Sequence, residues 1–375
     1  MQFVLLFPLF LNQIRQVKLM MQITSLGSTV MVVNQLDEAF NKIFSIKNYI
    51  SGIYILVDEN TKKFCLPALL EIENLKNASI IEVQAGEEHK SIETVVRIWS
   101  VLTDTGADRH SLLLILGGGV LGDLGGFAAS TFKRGIEFIN IPTTLLAQID
   151  ASIGGKMGFN FKGYKNEIGL FHSPDFVIIY PNFLQTLTQE MLKSGFAEMI
   201  KHALISSEEH WSKIKTFDTN AFDISKLEKM ISKSIFIKND FIKNDPKEKN
   251  IRKSLNFGHT VGHAFESMAL ARGKNIQHGY AVAYGMVCEA YLSTKKLKFD
   301  IGAMMDFGRY IQENYGKYDF QLADIPALIE YMYHDKKNVN QEINFSLLGT
   351  IGSIEVNKFC LHTDIEEALE FYWAL

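Results

Sequence analysis

The chain has 375 residues, 47% of them hydrophobic, and its 38 Lys and Arg against 42 Asp and Glu give a formal charge of −4. That much apolar material offsets chain entropy and excludes intrinsic disorder. The near balance of charge argues against nucleic acid or an anionic membrane as the main partner, while leaving room for a local basic pocket. Length suggests two domains. Cys65, Cys288 and Cys360 lie far apart, with no CxxC pair. Neither a disulfide framework nor a thiolate metal knot is expected, and a reducing cytoplasm is the simplest home.

In chain order, the first segment is the apolar run Met1–Leu11, about half the ~20 residues that a spanning helix needs. No basic residue precedes it and no small-residue cleavage site follows, which argues against a signal peptide. Residues 1–22 are expected to be an extraneous or disordered extension, with Met20-Met21 as a second plausible start. From about 50 to 180 the pattern is strand, loop, helix. Gly52–Val57, Ser79–Val83, Ser111–Leu116, Ile136–Ile141 and Phe176–Tyr180 read as strands, and Ile92–Thr105 as an amphipathic helix. Ser111–Leu116 is uninterrupted apolar sequence stopped by three glycines, the signature of a strand covered on both faces of a parallel sheet. The alternation predicts an α/β, Rossmann-like nucleotide-binding domain over 23–185.

Beyond about 185 helices dominate: Thr188–Ile205, Asp223–Asp245, Gly258–Ala271, His278–Leu297, Ile301–Tyr315, Ile325–His334 and Asp364–Ala374. Glu342–Leu348 and Ser353–Cys360 read as a hairpin. Residues 186–375 are therefore expected to form a mostly helical domain, with a ligand in the cleft between the two.

Three groups of residues carry chemistry. Gly117-Gly118-Gly119-Val120-Leu121-Gly122-Asp123 follows the buried strand and contains GxGxxG, where backbone N–H groups can approach a pyrophosphate at a helix N-terminus. Strand before and apolar helix after favour a dinucleotide over a bare turn. Next, Thr143, Thr144, Asp150, Gly154-Gly155-Lys156, Lys165 and Asn166 form a polar stretch suited to phosphate and hydroxyl groups. Finally, His259 and His263 are spaced i, i+4 on one helix, with Glu198 and Lys201 at i, i+3 on another. A carboxylate with two imidazoles leaves a metal's other positions open, as catalysis requires. Spacing leaves the choice of ligands among His202, His259, His263 and His278 undecided. Cations at Lys238, Arg252 and Lys336-Lys337 point to a small anionic substrate.

The blocks GGGVLGDLGGFAAS, FKRGIEFINIPTTLLAQIDASIGGK, GYKNEIG, SGFAEMIKHALI, DPKEKNIRKSLNFGHTVGHAFE, QHGYAVAYGM and HDKK occur in this order between about Val57 and Gly352. In that order they resemble the 3-dehydroquinate synthases. The resemblance implies a dehydroquinate synthase-like fold, NAD, a divalent metal (zinc or cobalt), a sugar-phosphate substrate and a homodimer. It implies Glu198, His259 and His278 as metal ligands. Asp58, Asn60, Gly86, Glu87, Lys90, Gly118, Gly119, Val120, Leu121, Gly122, Asp123, Thr143, Thr144, Lys156, Lys165, Phe183 and Thr186 would line the cofactor. Asp150, Lys156, Asn166, Lys201, Lys238, Arg252, Asn256, His263 and Lys337, in preference to Lys336, would face the substrate. Arg134 would reach the neighbouring subunit's substrate phosphate. The implied activity is conversion of a heptulosonate phosphate to dehydroquinate and phosphate. The alternatives are another sugar-phosphate cyclase, a metal-dependent polyol dehydrogenase, or a non-catalytic NAD-binding regulator.

Overall fold

A computed structural model of the chain describes residues 19–47, 51–162, 164–333 and 342–375. Its N-terminal part is a seven-stranded sheet in the order β1-β2-β9-β6-β5-β3-β4. The strands are β1 (Leu19–Ser25), β2 (Ser28–Val33), β3 (Ile53–Asp58), β4 (Ser79–Val83), β5 (Leu112–Gly117), β6 (Glu137–Pro142) and β9 (Phe176–Ile179). All neighbours are parallel except β1 and β2. A separate antiparallel hairpin, β7 (Lys156–Phe161) and β8 (Tyr164–Phe171), packs against this part through Met157 and Phe159.

The expected strands are present with edges shifted by a residue or two. The β5 run is apolar throughout because its residues alternate between two cores. Leu112, Leu114 and Leu116 join α1 (Leu36–Ile46) and α3 (Leu66–Leu70) on one face, beyond the short α2 (Glu59–Phe64). Leu113 and Ile115 pack on the other face with α4 (Ile92–Asp104) and α5 (Gly119–Thr131). The β1–β2 and β7–β8 hairpins were not expected. β1 begins at Leu19, ahead of the boundary drawn at 23, and residues 1–18 lie outside the described residues.

The chain runs outward from β3 to the edge strand β4, then returns to place β5 on the other side of β3. This reversal makes a crevice at the carboxyl ends of β3 and β5, where open α/β sheets take their ligands.

A 3₁₀ segment, Pro181–Thr186, leads into the helical part. It comprises α6 (Gln189–Leu204), α7 (Glu208–Lys215), α8 (Ile224–Asn244), α9 (His259–Ala271), α10 (His278–Leu297), α11 (Ile301–Tyr315), α12 (Ile325–Tyr333) and α13 (His362–Ala374), with a hairpin of β10 (Asn344–Thr350) and β11 (Ser353–Phe359). The buried α10 lies against α6, α9, α11 and α13. Close approach needs glycine at two of these crossings. A Cβ on Gly279 would sit 1.8 Å from Ser194 O, and one on Gly285 2.1 Å from Gly258 O. Among the described residues no helix is long and apolar enough to cross a membrane.

Candidate active site and metal centre

The residues expected to hold a nucleotide gather at the carboxyl ends of the parallel strands. Asp58 ends β3 and caps α2, accepting from Thr61 N at 2.7 Å, and exposed Asn60 follows on that helix. Gly86 and Glu87 follow β4, and Gly86 has a φ of 118° that disfavours a side chain. Gly118, Gly119, Val120, Leu121, Gly122 and Asp123 turn from β5 into α5. Thr143 and Thr144 follow β6, and Phe183 and Thr186 follow β9. A network ties the segments together. Buried Lys90 donates to Asp123 Oδ2 at 2.6 Å and to Asn166 Oδ1 at 2.5 Å, while Asn160 Nδ2 donates to Glu87 Oε1 at 2.9 Å. Burial raises the Asp123 carboxyl, against the pull of Lys90.

The helical part supplies the second half. Glu198, from α6, is fully buried, and neither carboxylate oxygen accepts a hydrogen bond, although the Lys201 ammonium pairs with Oε2. His259 Nε2 and His278 Nε2 lie 3.4 and 3.5 Å from Glu198 Oε1. The other nitrogens face acceptors. His259 Nδ1 is 3.3 Å from Phe257 O, and His278 Nδ1 is 3.4 Å from Glu266 Oε2. Each imidazole can therefore keep its proton on Nδ1 and present Nε2 to an ion held at Glu198. Glu198 Oε1 and the two Nε2 atoms converge in a buried space that could hold a cation between them. Donors about 2.1 Å from a tetrahedral metal are about 3.4 Å apart, the separation found here, so the residues fit a divalent ion.

Without a metal the three groups are charged unevenly, and a bound ion would displace the proton that His278 otherwise keeps. Burial opposes ionisation of Glu198, yet Lys201 and His259 hold its carboxyl far below the usual range. Burial and Lys201 push His259 well down. Burial also opposes charge on His278, but Glu266 and Glu198 outweigh it and push the ring up to about 10.

A cation cluster surrounds this trio. Lys238 is buried and reaches Asp150 Oδ1 at 2.8 Å, with Asp150 in a single π-helical turn, Ala147–Ala151. Arg252 is 2% exposed and donates to Pro246 O at 2.8 Å and Gly154 O at 3.2 Å. Gly154, at φ 107°, lets the guanidinium in, since a Cβ there would lie 2.6 Å from Nη2. Lys156, on β7, pairs with Glu248, which also accepts from Asn256 Nδ2 at 3.0 Å. His263 lies beside His259 and His278, with ring centroids 5.4 and 6.1 Å away. His202 is not in this trio and faces Asp150 Oδ1 at 3.6 Å. Asn166 sits with Lys90 on the nucleotide side rather than beside Lys156. Arg134 is exposed beyond α5, at φ 72°. Lys336 and Lys337 lie outside the described residues.

Sequence reasoning missed three carboxylates. Glu266 lies one turn beyond His263 on α9, a spacing that could have revealed it. Glu248, four residues before Arg252, has a strained φ of 54° and pairs with Lys156. Glu289, fully buried on α10, accepts from Gly258 N, Thr260 N and Val261 N at 2.7, 3.0 and 3.2 Å. It satisfies the α9 N-terminus and so fixes the helix that carries His259.

A dinucleotide-type sheet edge beside a metal trio and a cation cluster is the architecture of the sugar-phosphate cyclases. A 2-deoxy-scyllo-inosose synthase structure with carbaglucose-6-phosphate, NAD+ and Co2+ superposes with TM-score 0.80 at 25% identity, over 94% of this chain and 99% of that one. A 2-epi-5-epi-valiolone synthase from Streptomyces hygroscopicus, with NAD+ and Zn2+, superposes at TM-score 0.76 and 23% identity, over 94% and 98%, and shares the fold. Family models for the N- and C-terminal parts of 3-dehydroquinate synthase match residues 80–194 and 195–338. The 3-dehydroquinate synthase of Parabacteroides distasonis is 43% identical over 343 residues, 92% of this chain and 97% of that protein. The chain belongs to the 3-dehydroquinate synthase family, and it is an enzyme of the lyase class.

Proposed function

We propose that the protein converts 3-deoxy-D-arabino-heptulosonate 7-phosphate to 3-dehydroquinate and phosphate, in the shikimate route to aromatic amino acids. The observation that carries this is the convergence of Glu198, His259 and His278 beside Lys201, within a cation cluster and next to a nucleotide-type sheet edge. The substrate alcohol is oxidised to a ketone, which acidifies the neighbouring C–H. Phosphate leaves with loss of that proton, the ketone is reduced back, and the ring opens and closes by an intramolecular aldol step. When bound, NAD accepts and returns the hydride, and a zinc or cobalt ion polarises the reacting oxygen.

The chain's own residues bind and position. Arg252 offers a planar fork to the substrate carboxylate, with Asn256 beside it. Lys156 meets the phosphate, while Asn166, tied to Lys90, serves the nucleotide side. Lys201 stays charged because Glu198 and Asp150 outweigh its burial, and it can steady a developing oxyanion. His263 is placed to move a proton, and Asp150 holds Lys238 in line. Arg134 reaches the phosphate of a second copy in a homodimer. The three free thiols are consistent with a cytoplasmic enzyme.

The test supplies the heptulosonate phosphate, NAD and zinc, and follows phosphate release. No release from folded, metal-loaded protein refutes the reading. His259→Ala is expected to lose stoichiometric metal together with activity, measured by metal analysis after gel filtration. Metal retained in that variant removes His259 from the ligand set. A valiolone or inosose cyclase would act instead on substrates lacking the carboxylate, and a polyol dehydrogenase would accumulate NADH.

A further inference from the structure

Glu266 lies on α9, seven residues after His259 and three after His263, so two turns of helix bring all three to one side. Its side chain is only 5% exposed, and each oxygen has its own partner. Lys165 Nζ donates to Oε1 at 3.0 Å, and His278 Nδ1 lies 3.4 Å from Oε2. Lys165 comes from β8 of the β7–β8 hairpin and His278 is the first residue of α10. The far nitrogen of that same ring faces Glu198 at 3.5 Å. A carboxylate on one ring nitrogen decides which nitrogen keeps the proton and which way the ring turns.

The two imidazoles are not held alike. The His259 side chain is 11% exposed, and its Nδ1 meets a backbone carbonyl on the tightly anchored start of α9. The His278 side chain is 32% exposed, so packing holds it less firmly, and its orientation depends on another side chain.

We propose that Glu266 is the positioning residue of the metal ligand His278, with Lys165 fixing Glu266 by taking its other oxygen. The proposal rests on Glu198, His259 and His278 being the metal set. A competing arrangement is a second cation site formed by His263, Glu266 and His278, whose donor atoms lie within 4.8 Å of one another. The Lys165 ammonium already occupies Glu266 Oε1, and a second divalent ion beside it would be repelled.

The experiment titrates Co2+ into the full-length metal-free protein and records affinity and the visible absorption of the bound ion. Wild type should bind one ion per chain. Glu266→Gln and Glu266→Asp should each bind about 10- to 100-fold more weakly, with an altered cobalt spectrum and a nearly unchanged melting temperature in the metal-free form. Asp keeps the negative charge for Lys165 but draws the carboxylate back from the ring. Recovery of wild-type affinity and spectrum in Glu266→Asp, with loss in Glu266→Gln, overturns positioning in favour of a role as partner to Lys165 alone. Wild-type behaviour in both variants overturns the proposal outright. Two ions in wild type and one in Glu266→Gln overturns it in favour of the second cation site. Unchanged Co2+ binding in His259→Ala shows that the metal reading itself has failed.

Discussion

Lys238 carries its charge under tension. Burial pulls its ammonium down to about 8, and the adjacent Asp150 only partly opposes this. The charge is present below that pH and lost above it, so affinity for an anionic substrate should decline as pH rises through about 8. The expected result is a rise in KM on the alkaline side, which Lys238→Arg removes because a guanidinium does not titrate there. Arg252→Ala should act mainly on binding, raising KM roughly 10- to 100-fold through loss of charge-assisted hydrogen bonds; unchanged steady-state constants would dismiss that role. His210 affects stability instead. Burial, with the cations of Lys233 and Lys213 nearby, lowers its ring to about 4. Between pH 6.5 and 4 the unfolded chain takes a proton that the folded one refuses. Stability is therefore complete above about 6.5 and falls with pH toward 4, by up to about 3 kcal/mol. Urea midpoints across that range should show the decline, and His210→Gln should flatten it.

At this scale the sequence was only partly legible. The i, i+4 pair marked α9 as chemically active, yet spacing could not separate His263 and His202 from the trio. Which nitrogen faces which carboxylate depends on how α6, α9 and α10 cross. The resemblance to a family carried Glu198, His259 and His278, while no motif in the sequence singled out Glu248 or Glu266.

The helices of the C-terminal half were readable because their apolar positions recur at helical spacing, and the central strands because β5 is buried on both faces. The β7–β8 hairpin was not. Its glycines, lysines and asparagines resemble a loop, and only pairing over Lys156–Phe161 and Tyr164–Phe171 makes it a ribbon. Two glycines separate packing from binding. A Cβ on Gly285 would meet Gly258 O at 2.1 Å and Gly262 N at 2.6 Å. Gly285→Ala should push α10 from α9, lowering the melting temperature and metal affinity together. Gly122 has nothing within 4 Å of its would-be Cβ, and its φ is ordinary. Gly122→Ala should melt no lower, since alanine favours helix by about 1 kcal/mol, while NAD affinity falls roughly tenfold because the methyl enters the space that close pyrophosphate approach needs. Equal NAD affinity by calorimetry would move the nucleotide elsewhere.

Across the whole molecule, the two-part architecture followed from the change in periodicity near residue 185. The N-terminal β1–β2 pair did not, because Leu19–Ser25 follows an apolar run that obscures its start. The metal trio joins three helices of one core, so the ion should stabilise the entire fold. At a free concentration 100 times its Kd, a ligand bound only by the native state adds about 2.7 kcal/mol. Chelation should lower the melting temperature by a few degrees, and zinc or cobalt should restore it; no shift would mean that the trio is not a strong site.

The β7–β8 ribbon sends Lys156 to Glu248 and Lys165 to Glu266, so neither cation waits bare for a ligand. Arrival of an anion at Lys156 would be an exchange, with Glu248 released as the newcomer binds. A monoanion gains little by replacing an equal charge, whereas a phosphate dianion gains by carrying two. Such internal neutralisation would filter for valence, disfavouring acetate and chloride against the doubly charged group of a sugar phosphate.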